Sequence, residues 1–205
     1  MRIIAGDLRG RRLAAPSDRK TRPMLDRVRE ALFSILGERV EGAGVLDLFA
    51  GTGSLGIEAL SRGARGARFL EQGRKPAGLL RKNLSDFGLE ERGIVVERDA
   101  LAPKHWGDGI FDLVFMDPPY PFMADPLRRL AVLKSVGELV RERLADGGVI
   151  VLHVPKRSLD EDEFKGLHVD ARERVYGTTA LWFLESLATD DEGDDGGEAE
   201  SEAGP

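Results

Sequence analysis

From Gly44 onward the chain alternates short apolar runs with amphipathic stretches, a pattern that leaves few folds open. "GVLDLFA", "GARFLEQ", "GIVVERDA", "FDLVFMD" and "VIVLHVP" read as buried strands. Between them, "SLGIEALSRG" reads as a helix ended by Gly63, and "KPAGLLRKNLSDFGL" as a helix with Pro76 near its first turn and Gly88 past its end. "DPLRRLAVLKSVGELVRERLADGG" reads as a long helix closed by Gly147 and Gly148. Strand and helix in alternation imply parallel strands joined by right-handed crossovers, so the fold class is α/β with a mostly parallel, doubly wound sheet. "LHVDARERVYGTTALWFLES" departs from the alternation: two strands around a turn near Gly177 make a C-terminal antiparallel hairpin.

Ahead of this unit, "RIIA" and "RRLAAP" flank Gly6 to Gly10 as a short basic hairpin. "RPMLDRVREALFSILGERV" follows as a helix, with Pro23 near its start and Leu25, Val28, Leu32 and Ile35 at the spacing of one face. From Met1 to Arg29 there are nine Lys or Arg against three Asp. The net charge of −6 hides this, because the stretch from Asp190 to the C-terminus carries eight acids and no base. A basic arm on an otherwise balanced body points to a polyanionic partner. The expected organisation is a basic N-terminal hairpin and helix over 1–40, one domain over 41–188, and a disordered acidic tail over 189–205.

The 205 residues suffice for one sizeable core and are too few for two full domains. No apolar stretch approaches the ~20 residues of a membrane helix and the N-terminus lacks a signal-peptide core, so a cytoplasmic protein is expected. With no cysteine, thiol nucleophiles, thiolate metal sites and disulfides are excluded. His105, His153 and His168 are scattered without metal-ligand spacing, so no metal is expected; His153 reads as core packing.

Gly51, Gly53 and Gly56 form a G-x-G-x-x-G array after the first strand and at a helix start, where backbone N–H groups can approach a nucleotide cofactor. Glu71, at the end of the second strand, can accept both hydroxyls of a ribose. Asp47, Glu71, Asp99 and Asp117 all fall at or near the carboxyl ends of strands, the rim where such folds bind ligands. That rim is a poor place for a diphosphate and a good one for a sulfonium compound with an ammonium group. S-adenosylmethionine is therefore favoured over NAD: Asp47 and the Gly51–Gly53 turn at the methionine end, Glu71 at the ribose, Asp99 with Ala100 at the adenine. Phe49 and Gln72 complete the candidate cofactor set.

The fourth strand ends in "DPPYPF", and proline cannot continue a ladder. Termination explains Pro118 and Pro119, but not Asp117 and Tyr120 on the same rim as the glycine loop. An exocyclic amine on a base is a poor nucleophile because its lone pair is delocalised into the ring. A carboxylate (Asp117) and a backbone carbonyl (Pro118) accepting its two N–H hydrogens can localise that pair and aim it at a methyl carbon. Pro119 keeps the backbone extended. Tyr120 can stack on the base, with Phe122 assisting.

"DLFAGTGSLGIEALSRGA" with "FDLVFMDPPY" looks like the Rossmann-like class I S-adenosylmethionine-dependent methyltransferases acting on exocyclic amines. "MRIIAGDLRGRRL", "RPMLDRVREALFSIL" and "RVYGTTAL" resemble, more narrowly, the RsmD family of bacterial 16S ribosomal RNA (guanine-N2)-methyltransferases, from Met1 to about Glu185. The resemblance implies methylation of one guanine N2 amine in 16S rRNA, naked or in the assembling small subunit; a monomer is expected. The family's Arg-Pro-Thr-Thr-Asp-Arg-x-Arg-Glu stretch corresponds to Arg22 through Glu30, with Met24 and Leu25 in place of the threonines. Arg2, Arg9, Arg11, Arg12, Arg22, Arg27 and Arg29 are the expected phosphate contacts. The alternatives are an amine methyltransferase on DNA adenine-N6 or protein glutamine, an NAD-dependent oxidoreductase, and a non-catalytic RNA-binding module.

Overall fold

The computed structural model describes residues 1–15 and 24–187. In chain order its elements are α1 (Asp26–Leu36), β1 (Gly44–Leu48), α2 (Ser54–Ser61), β2 (Gly66–Leu70), α3 (Arg74–Phe87), β3 (Gly93–Val96), β4 (Phe111–Met116), α4 (Tyr120–Ala124), α5 (Pro126–Glu142), β5 (Leu144–Pro155), β6 (Val169–Tyr176) and β7 (Thr179–Ser186). The strands form one sheet in the order β3-β2-β1-β4-β5-β7-β6. The first five are parallel; β7 runs antiparallel to β5, and β6 antiparallel to β7. The order reverses between β1 and β4, which opens a crevice at their carboxyl ends.

Side chains alternate across the sheet, and both faces are covered. Val45, Phe69 and Phe115 pack with α1, α2 and α3. Leu46, Val114 and Met116 pack with Trp106 and with Val132 and Val136 of α5. Each such buried side chain contributes about 1.5–3 kcal/mol relative to exposure. The N-terminal hairpin closes through an Arg2–Arg12 bridge, and its Ile3 and Leu13 enter the same core as Val45, so residues 1–15 pack as part of the body.

Three expectations are corrected. Gly147 and Gly148 do not close a helix: α5 ends at Glu142, and both glycines lie inside β5. Phe111 pairs with Leu144 and Leu113 with Val149, so the extra residues of β5 bulge there, with Gly147 at φ 67°. The apolar face of α1 is also rotated from the predicted one, burying Val28, Arg29, Leu32, Phe33 and Leu36 and leaving Leu25 and Ile35 about half exposed. Finally β3 stops at Val96, which puts Asp99 in the following turn.

Candidate active site

β1 runs directly into the glycine loop. Phe49 and Gly51 both adopt positive φ, 61° and 57°, and Gly53 sits at φ 84° as the cap of α2. The Gly53 N–H donates to the Ala50 carbonyl at 2.8 Å and the Ala50 N–H to the Leu70 carbonyl at 2.9 Å, which fixes the loop to β2. The three glycines serve different ends. A Cβ on Gly56 would run into the Phe69 ring and one on Gly53 into Leu80, whereas one on Gly51 would meet nothing within 4 Å. Gly51 alone faces open space, a cradle suited to a ligand brought close to the backbone.

Asp47 is only 1% exposed, and its Oδ2 accepts the Gly56 N–H at 2.9 Å. Burial pushes its pKa up to about 8; the Gly56 hydrogen bond opposes this, and the charges of Asp117 and Glu71 reinforce it. Asp47 thus lies behind the loop, where its Oδ2 shapes the first turn of α2 and burial favours its protonated form.

Glu71 is half-buried just past β2, with Oε2 accepting the Gly51 N–H at 2.9 Å and Oε1 the Gly73 N–H at 2.6 Å. Each oxygen keeps a second lone pair, so a vicinal diol remains a suitable partner. Gln72 beside it is exposed. Asp99 is exposed and accepts the Leu101 N–H, while Ala100 is buried with its carbonyl on the Trp106 indole N–H at 2.8 Å. Open backbone at Gly51, a diol acceptor at Glu71 and the apolar backing of Ala100 fit an adenosine-bearing cofactor.

Across the crevice, the Asp117 N–H donates to the Leu48 carbonyl at 3.3 Å, so the tip of β4 is tied to the end of β1. Pro118 is buried; Pro119 precedes α4, which begins at Tyr120. Asp117 Oδ1 lies 2.7 Å from His153 Nδ1, His153 Nε2 lies 2.5 Å from Thr179 Oγ1, and the Tyr120 hydroxyl donates to Thr179 Oγ1 at 3.2 Å. His153 is thus buried in β5 as expected, but its two ring nitrogens tie it to Asp117 and Thr179 at the rim. Its signal was present in the sequence: "LVFMD" and "VIVLH" are matched apolar runs that each end in one polar residue, and the register Met116–Leu152 sets the two side by side. Phe122 packs edge-on against Phe49 at 5.9 Å with the Arg128 guanidinium over its ring, walling the site.

The arginines separate by environment. Arg2, Arg9, Arg12 and Arg27 are exposed. Arg11 stacks on Phe87 and donates to the Asp86 carbonyl. Arg22 lies outside the described residues. Arg29 is corrected as a phosphate contact: it is fully buried, donating to the Arg2 carbonyl at 2.5 Å and to Asp26, 3.9 Å from Glu58. Glu58, also fully buried, accepts the N–H groups of Ile4 and Ala5 and so docks the hairpin on α2. Buried Asn83 links Ala14 of the hairpin to the Thr52 carbonyl in the glycine loop, a role marked only by an amide inside the apolar stripe of α3.

The cavities between α1 and β6–β7 (about 130 Å³) and beside Gly42, Asp112 and Gly147 (about 280 Å³) lie at the opposite, amino ends of the parallel strands. Among the described residues no group of three or more His, Asp or Glu could hold a metal ion, and no helix is long and apolar enough to cross a membrane.

Comparison with known proteins agrees with this geometry. YlbH of Bacillus subtilis, named as an rRNA methyltransferase, is 34% identical over 184 residues, covering 88% of this chain and 96% of that protein. Ribosomal RNA small subunit methyltransferase D of Haemophilus influenzae is 42% identical over 125 residues, covering 60% of this chain and 65% of that protein, just under two thirds of its length. Among solved structures, one titled as the methyltransferase yhhF of Escherichia coli superposes with a TM-score of 0.78 at 33% identity, over 92% of this chain and 99% of that one. An rRNA methylase of Streptococcus thermophilus shares the fold at 16% identity, with a TM-score of 0.63 over 81% of this chain and all of that one. The fold is that of the Rossmann-like class I S-adenosylmethionine-dependent methyltransferases. Residues 1–185 match the family model described as Conserved hypothetical protein 95, and the chain belongs to that family, the RsmD family.

Proposed function

We propose that this protein is an rRNA methyltransferase that uses S-adenosylmethionine to methylate the exocyclic N2 amine of one guanine in 16S rRNA. The observation that carries the reading is the position of Asp117, tied to the end of β1 beside the glycine loop, with Oδ1 engaged by His153 and Oδ2 left for a substrate. Glu71 would hold the ribose of the cofactor, the backbone at Gly51 and Gly53 its methionine end, and Asp99 with Ala100 its adenine, with Phe49 and Gln72 alongside. Bound there, S-adenosylmethionine would supply an electrophilic methyl group on a positively charged sulfur, a good leaving group as the neutral thioether. Asp117 Oδ2 and the Pro118 carbonyl accept the two amine hydrogens, and the proton the nitrogen then loses passes through Oδ2 to water. Tyr120, about two-fifths exposed and held by Thr179, supplies a face for the unstacked base, with Phe122 at its side. Residues 1–40 form the RNA-contacting extension through Arg2, Arg9, Arg11, Arg12 and Arg27, together with Arg22, while the catalytic unit spans 41–188.

The test is to map methylated guanines in 16S rRNA from cells with and without the gene, and from cells carrying Asp117→Ala. One N2-methylguanine should disappear without the gene and in the variant, with the purified variant losing at least ~100-fold in kcat while binding S-adenosylmethionine normally. An unchanged 16S methylation map would overturn the substrate, and wild-type turnover by Asp117→Ala would remove Asp117 from the chemistry.

A further inference from the structure

We propose that His153 is the positioning residue for Asp117: its Nδ1–H holds Oδ1, fixes the carboxylate plane, and leaves Oδ2 as the single oxygen presented to the amine. This rests on the reading of Asp117 as the amine acceptor. The proton inventory of the chain Asp117–His153–Thr179 supports it. A carboxylate has no hydrogen to give, so at the 2.7 Å contact Nδ1 must be the donor. At the other end, Thr179 has one proton and two acceptors in reach, His153 Nε2 at 2.5 Å and the Val154 carbonyl at 2.9 Å. If that proton goes to Nε2 the imidazole is neutral; if it goes to Val154, Nε2 donates to Thr179 and the ring is charged. In both arrangements Nδ1–H faces Asp117, so the orientation of the carboxylate does not depend on which one holds.

The chain is built on rigid parts. His153 is 4% exposed in β5 between two paired neighbours, and Thr179 is buried at the start of β7, opposite Pro155. The Asp117 side chain keeps about a third of its surface open. The Tyr120 hydroxyl also lands on Thr179, so one buried hydroxyl sets both the hydrogen-bonding carboxylate, through His153, and the stacking ring. Supporting hydrogen bonds of this kind hold a reacting group within about 0.5 Å of its working geometry, and misplacement by ~1 Å can cost on the order of 100-fold in rate.

Two amide variants separate positioning from folding, because an Asn side chain puts its N–H near the place of Nδ1 and a Gln side chain near that of Nε2. In the full-length protein, His153→Asn should keep kcat within about threefold of wild type, whereas His153→Gln and His153→Phe should lose roughly 10- to 100-fold. KM for the RNA substrate and S-adenosylmethionine affinity should stay within about twofold. Each kcat is referred to the folded fraction measured by circular dichroism at the assay temperature, so loss of fold does not count as loss of positioning. Equal kcat in the Asn and Gln variants, or a loss that appears in cofactor affinity instead of kcat, would overturn the proposal. Asp117→Ala run alongside distinguishes the two ideas. If it is inactive while His153→Gln turns over like wild type, only the positioning role fails; if it is itself active, the reading of Asp117 fails.

Discussion

Asp47 and Arg29 are both ionisable residues that a sequence invites one to place in solvent or on a ligand, and both are buried. Folded Asp47 keeps its proton to about pH 8, whereas the unfolded chain loses it near 3.8. Between those values the folded state binds the extra proton, so this group's contribution to stability is full below pH ~4, declines as pH rises, and is level above ~8. Asp47→Asn preserves the acceptor for Gly56 and removes the proton. Wild type should therefore lose more stability than the variant between pH 5 and pH 8, by on the order of 2–4 kcal/mol, measured by urea unfolding at both pH values. Equal losses would mean that Asp47 is ionised in the folded protein. For Arg29, burial pulls the guanidinium pKa down against the pull of Glu58 and Asp26. Removing it leaves the hairpin carbonyl of Arg2 without its donor and buried Glu58 with only the Arg62 ion pair, so Arg29→Ala should cost about 3 kcal/mol, seen as a lower urea midpoint. A phosphate-contacting arginine would leave that midpoint in place.

The glycine loop was legible as an element, but the division of labour within it was not. Spacing marks three glycines; only packing shows that Gly56 is required by the Phe69 ring and by Asp47 Oδ2, 3.1 Å from where its Cβ would be. Gly56→Ala should therefore destabilise the fold by about 2 kcal/mol through overpacking. Gly51→Ala, which meets no neighbour, should cost about 1 kcal/mol from its φ of 57° alone. Thermal unfolding of the two variants tests the ranking, and a reversed order would show that the loop is held by backbone conformation more than by packing. The end of α5 escaped the sequence for a related reason. "LADGG" carries the composition of a helix stop, and what converts it to strand is the edge offered by β4, with the Phe111 N–H donating to the Arg143 carbonyl at 2.8 Å.

Over the whole molecule, the N-terminal hairpin is joined to α2 through Glu58 and to the glycine loop through Asn83, so under the proposed function RNA bound by the hairpin would be held by the same packed unit that carries the loop. Arg9 and Arg12 are exposed on that hairpin. Arg9→Ala and Arg12→Ala should each lower the slope of log affinity against log salt for 16S rRNA by about 1, leaving stability within ~0.5 kcal/mol. Filter binding across a salt series measures this, and an unchanged slope would take these two residues out of the RNA interface. The acidic tail from residue 189 lies outside the described residues and beyond the family match, which ends at 185.

What the sequence by itself determined is the local and periodic part. Strand–helix alternation specified the parallel sheet, the turn at Gly177 the closing hairpin, and the positions of Gly51, Glu71 and Asp117 just past the carboxyl ends of their strands, because these depend on spacing along the chain. Only the tertiary structure decided which charges are buried. Asp47 lies behind its loop, Arg29 inside the hairpin dock, and His153 against Asp117 because strands distant in sequence lie in register, and desolvation and proton sharing are properties of that juxtaposition.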